Sequence, residues 1–206
     1  MALNLGGGGE GKPFIRFKPS INAWEMSGEN GATEFTWASP AMFDVETIKL
    51  GWLLLDTGVR EWVEWPANRQ TPRPDEREWK QGFICLVYSK AIFGEEASVR
   101  EYSSSSVGNV EFIKALYNEA ETQFGSNTVP VVKMTGARAE KIGKGNTRIP
   151  TFEVVKYAPR PAELPADGLV NGSAPAASAA PKAAPPAPPA KAPPVQQAAP
   201  ADADEF

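Results

Sequence analysis

The sequence predicts a mostly β domain of the α+β class, with one helix, followed by a disordered tail. Three observations carry this. Short runs of β-branched, aromatic and leucine residues, bounded by Gly, Pro and Asp, recur between Phe14 and Tyr157. One stretch alone, Val110 to Ala120, places apolar residues at helical spacing. Beyond Arg160 the composition turns to Ala and Pro, with no further aromatic residue until Phe206. Such a stretch cannot bury enough surface to offset chain entropy.

In chain order, residues 1–12 are Gly-rich and expected to be flexible, and a folded domain is expected over 13–160. Phe14 to Lys18 alternates and stops at Pro19, which reads as a short strand. A second, weaker strand is expected over Glu34 to Trp37, with irregular connections at 19–33 and 38–45. Thr47 to Asp56 is a long strand in which Gly51 would admit a bend or bulge. Asp56-Thr57-Gly58 turns the chain into a strand from Val59 to Trp65, ended by Pro66. A polar, Pro-broken loop carrying Trp79 spans 66–81. Phe83 to Ser89 is a strand expected to be buried on both faces, and Ser98 to Tyr102 a short extra one.

The helix follows, capped from within Ser103–Ser106 or by Asn109 and stopped at Gly125. Val110, Ile113, Leu116, Tyr117 and Ala120 form its stripe, with Phe112 beside it. Thr128 to Thr135 and Thr151 to Tyr157 are the last strands, joined by a loop from Gly136 to Pro150. From Thr47 onward the order is β-β-β-(β)-α-β-β, which is that of an OB-fold, a five-stranded barrel with one helix. The tail divides into an Ala/Pro linker, 161–201, and an acidic-aromatic tip, 202–206.

The net charge of −4 argues at first against a polyanionic ligand, but it hides an asymmetry. Residues 133–160 hold seven basic side chains against two acidic ones, whereas residues 161–206 hold two against five. Arg138, Lys141, Lys144 and Arg148 fall in the Gly-rich loop, with Lys156, Tyr157 and Arg160 on the adjoining segment. In an OB-fold the loop between the fourth and fifth strands borders the ligand groove. Cations there would track phosphates while aromatics stack bases. The stacking candidates are Trp62, Trp79 and Tyr157, with Arg77 beside Trp79. Trp62 and Trp65, three apart on a strand, point to opposite faces, one toward the core. Trp79 serves equally as a platform or as a hydrophobic lid. Trp52, Phe83 and Phe152 read as core, and Phe14 and Phe17, among Lys12, Arg16 and Lys18, form a third basic-aromatic cluster.

At the tip, Asp202, Asp204 and Glu205 precede a terminal Phe206, an apolar plug within negative charge suited to a partner pocket with a basic rim. Linker, tip and strand order together resemble the single-stranded DNA-binding proteins of bacteria and their phages. That resemblance implies a non-catalytic, largely sequence-independent binder of single-stranded DNA acting in replication or recombination. It implies a cytoplasmic location in a bacterium or infected host cell, replication or recombination partners recruited by the tip, and a possible homo-oligomer. The tip of such proteins is also thought to compete with DNA for the groove. Many bacterial members carry Pro before the terminal Phe; Glu205 stands there in this chain, which looks more like phage-encoded variants.

Against an enzyme, the chain has no histidine, so no imidazole base, triad or His-ligated metal is available. Gly6 to Lys12 matches a phosphate loop only superficially, because Pro13 occupies the Ser/Thr position and no strand precedes it. No cofactor is expected. Two alternatives are a protein-interaction adaptor and a carboxylate metal-dependent nuclease using Glu61, Glu64, Asp75, Glu76 and Glu78. The single Cys85, within an apolar run, reads as a buried thiol. Neither a charged-then-apolar leader nor an apolar run of about 18 residues is present, so no membrane span is expected.

Overall fold

Ile15 and Phe17 alternate with Arg16 and Lys18, so a strand there buries one edge and wets the other. The computed structural model describes residues 12–28, 30–56, 59–142 and 145–165, and this strand is β1 (Phe14–Lys18). It pairs antiparallel with β2 (Ala23–Gly28), which pairs in turn with β3 (Gly31–Phe35). Asn22 turns the first connection with a φ of 58°, a conformation asparagine tolerates. The expected irregular stretch at 19–33 is therefore mostly hairpin. Its register is held by aromatic residues facing across strands, Phe17 opposite Trp24 and Trp24 opposite Phe35. Glu34 and Phe35 of β3 fall within the strand expected over Glu34 to Trp37, while β2 and the start of β3 show no clear alternation and are revealed only by the tertiary pairing.

β4 (Ala41–Asp56) is longer than expected. Its first residues looked irregular because Asp44 and Glu46 interrupt the apolar pattern, yet both are buried. The reason is Arg160, which donates to both Asp44 oxygens at 2.5 and 2.9 Å and lies 3.7 Å from Glu46. Asp44 also accepts from Thr47 Oγ1 at 2.6 Å, and Glu46 from the Gly125 N–H at 3.0 Å. The register against β6 (Lys80–Tyr88) shifts between Asp44 and Lys49, so the bulge sits there. At Gly51, where a bend was expected, the ladder is regular.

Before the bulge β4 pairs with β8 (Thr128–Ile142), and after it with β5 (Val59–Glu64). β6 runs antiparallel to β4 and to β7 (Val99–Ser104), and β7 takes β1 in parallel. β9 (Gly145–Pro159) completes the order β3-β2-β1-β7-β6-β4-β8-β9, with β5 on β4. The fold is thus mostly β, with a curled, half-barrel sheet, and carries nine strands among the described residues where a five-stranded barrel was expected. A four-residue helix, α1 (Lys90–Phe93), was not foreseen; the Ser89 hydroxyl caps it. Only one face of β6 is fully buried, through Phe83, Cys85 and Val87. Ile84 and Leu86 are half-open, contrary to the expectation of burial on both sides.

α2 (Val107–Ala120) lies against β9 and β4 and inserts Phe112, Ile113, Leu116 and Ala120 into the core. Phe112, expected beside the stripe, is at its centre and meets Phe43, Tyr102 and Phe152 edge-on or tilted. A 3-10 turn (Glu121–Gln123) and left-handed Gly125 end the helix. A second cluster, Trp52, Leu54, Trp65 and Trp79, meets the main core through Leu50. Of the supposed flexible loop, residues 136–142 and 145–150 are ribbon: β8 and β9 pair from Thr128–Pro159 to Ile142–Gly145. Its glycines and lysines mask a cross-strand ladder, and a bulge places Gly136 at a φ of 134°. No helix among the described residues is long and apolar enough to cross a membrane.

Two stability changes are expected. Arg160→Met should cost about 3–5 kcal/mol in urea unfolding, because Asp44 and Glu46 are then left buried without their cation. Gly108→Ala should lower the thermal midpoint, although alanine alone favours a helix by about 1 kcal/mol. A Cβ there would sit 2.2 Å from the Arg148 carbonyl oxygen and push α2 off β9.

Candidate nucleic-acid interface

Side chains alternate along a strand, so residues three apart on β8 face opposite ways. Arg138, opposite Ile149, and Lys141, opposite Asn146, therefore lie on different faces of the β8–β9 ribbon. Arg138 is paired with Glu140 at 2.9 Å, an exposed contact of small energy. Arg148 stands opposite Ala139, on the Lys141 face, but its guanidinium donates to the carbonyls of Pro19 and Ser20 at 3.1 and 3.2 Å. Lys156 is exposed on β9. The structure thus distributes these cations over the ribbon rather than gathering them on one surface. Lys144 lies outside the described residues, as do Asp202, Asp204, Glu205 and Phe206.

Tyr157, a stacking candidate, is half-buried, and its hydroxyl donates to the Glu119 carbonyl at 3.2 Å, tying β9 to the end of α2. Burial pushes its hydroxyl pKa up. Arg160 belongs to the buried network and presents nothing to a ligand. Trp79 is 4% exposed, donates its indole N–H to Asp75 at 2.8 Å and lies under Arg77, whose guanidinium is 5.3 Å from the ring centre. Trp79 thus lies buried in the second cluster. Arg77 is itself held by Glu61, at 2.6 and 3.0 Å, and by Asp75. Of the third cluster, Phe17 is core, while Arg16 and Lys18 share Glu25. Glu64 pairs with Lys49 at 3.0 Å, and among the described residues no three acidic or thiol side chains converge as metal ligands would.

Trp62 is placed differently. On the face of the sheet turned away from the core, Lys49, Gly51 and Leu53 of β4 stand beside Glu64 and Trp62 of β5 and Ile84 of β6. The Trp62 ring occupies the space above Gly51: a Cβ there would lie 2.6 Å from its Cζ2. Arg60 reaches across the same face to Glu101 and Ser103 of β7. Of these, Lys49, Trp62, Glu64, Ile84 and Glu101 line a cleft of about 550 Å³, together with Lys12, Leu86 and Val99. Sequence reasoning named Trp62 but missed Gly51, Arg60 and Glu101. The mid-strand glycine was a signal, since such a residue also marks close approach of another group. No local signal joins Arg60 to Glu101.

Comparison with protein families, with curated proteins and with solved structures finds no match.

The β5–β6 segment should respond to acid. The Arg77 side chain foremost, then the Arg77 backbone N–H and the Trp79 indole, hold the Asp75 carboxyl down to about 2, from 3.8, against partial desolvation. A carboxyl depressed on folding stabilises fully above its ordinary value and loses that effect as pH falls through the folded one. Near-ultraviolet circular dichroism of the tryptophans should hold steady from pH 7 to about 4 and change between about 4 and 2. Asp75→Asn should remove that step.

Proposed function

We propose that this chain is a non-catalytic, largely sequence-independent single-stranded DNA-binding protein of DNA replication or recombination, in a bacterium or a phage-infected cell. The observation that carries the reading is where the exposed cations that make no ion pair fall. The exposed cations without an acidic partner among the described residues are Lys12, Arg69, Arg73, Lys80, Lys133, Lys141 and Lys156. All but Lys12 lie on the ribbon or between Arg69 and Lys80. In a chain of net charge −4, exposed cations without an ion pair that fall, Lys12 apart, in two segments suit a ligand that carries its own charge along a strand.

The OB-like reading is part of the same proposal: β4, β5, β6, α2, β8 and β9 follow in the order such a barrel uses. Strands β1–β3 and β7 extend it. The tip, Asp202, Asp204, Glu205 and Phe206, recruits replication or recombination proteins to the bound strand.

Fluorescence anisotropy with a labelled oligothymidine of about thirty bases, at two salt concentrations and beside a duplex, tests this. Tight binding to the single strand should weaken as salt rises, with a logarithmic slope near −0.7 per neutralised phosphate. Lys141→Ala with Lys156→Ala should make that slope shallower by about 1.4. Absence of binding at low salt, with residues 161–206 present or deleted, would end the proposal.

A further inference from the structure

Taking the chain as a binder of single strands, we infer that its bases are received in the cleft on the outer face of the sheet, with Trp62 as the stacking platform. The ribbon serves the phosphates. The ligand of the cleft is an unpaired, planar nucleobase.

Three features of the cleft select that occupant. Trp62 is half-buried, with its ring edge seated where only a glycine leaves room, so the indole is supported by the backbone at Gly51. A supported ring loses little freedom when a base stacks on it. The rest of the apolar lining, Ile84, Leu86 and Val99, is half-open, which suits the flat surface of a base.

Charge supplies the third. The acidic side chains at the cleft are already matched, Glu64 with Lys49 and Glu101 with Arg60. These pairs leave Lys12 as the one lining cation without an acidic partner among the described residues. A second unmatched cation, Lys80, falls in the same cross-strand row as Trp62, since Leu53 lies opposite both. Two strand spacings, about 10 Å, separate the Trp62 and Lys80 backbones. An apolar slot whose acidic groups are paired, with Lys12 in its lining and Lys80 in the row of Trp62, complements a chain that alternates uncharged bases with charged phosphates. A duplex, whose bases are paired and stacked, has none to offer.

The test compares oligothymidine with an abasic strand of equal length and charge, each titrated by anisotropy. Trp62→Leu keeps apolar volume but removes the π-face, and Trp62→Phe restores one. Trp62→Leu should weaken oligothymidine binding about 5- to 100-fold, the range expected for losing one stacked base. It should leave abasic-strand affinity and the salt slope unchanged, and Trp62→Phe should recover most of the loss. Unaltered oligothymidine binding by Trp62→Leu, or an equal loss on both strands, would overturn the assignment and leave single-strand binding standing. A wild-type chain that binds neither strand at low salt would overturn both.

Discussion

The buried ion network of Arg160, Asp44 and Glu46 is the constraint on which the rest of the structure depends. Three charged groups, all nearly inaccessible to water, carry a large desolvation cost that only close pairing offsets. Their pairing joins the bulge of β4, the end of β9 and, through the Gly125 N–H on Glu46, the turn that follows α2. The Arg160 N–H adds a bond to the Asn127 carbonyl at 3.0 Å, closing the same corner through the backbone. Because the bulge lies at this corner, β4 can give its first residues to β8 and its last to β5. That change of neighbours within one strand is what curls the sheet.

Two aromatic clusters then divide the labour of stabilisation. The main core is organised around Phe43, Tyr102 and Phe112, whose edge-to-face contacts add to plain burial. The smaller cluster of Trp52, Trp65 and Trp79 is roofed by Arg73 and Arg77, which lie over Trp52 and Trp79. This second cluster anchors a loop rich in proline and charge that would otherwise have little to hold it. Since both clusters lie off the cleft, the outer face of β4, β5, β6 and β7 is left open. Trp62 stands on that face without belonging to either cluster.

Much of the fold was legible in local sequence. The boundaries of β1, most of β5 and β6, and the body of α2 follow from alternation, helical spacing and the Pro and Gly residues that interrupt them. The burial of Trp52, Phe83 and Cys85 follows from their apolar neighbours. What misled was chemistry that looks exposed when read locally. Asp44 read as a loop residue, and Gly136 to Pro150 read as a flexible connection. The first is buried because of a residue 116 positions away, and the second is paired, over its described residues, in a ladder between β8 and β9.

The candidate site divides in the same way. By itself the sequence determined the classes of residue available: tryptophans among cations, no histidine, and basic charge concentrated between Lys133 and Arg160. Composition and periodicity are local properties, and they suffice for that. Only the tertiary structure decided which of those residues face outward. It buried Trp79 under Arg77, spent Arg160 on Asp44, tied Arg148 to the β1–β2 turn and left Trp62 over Gly51 at the cleft. Exposure and pairing depend on partners distant in sequence, and those are known only once the strands are in register.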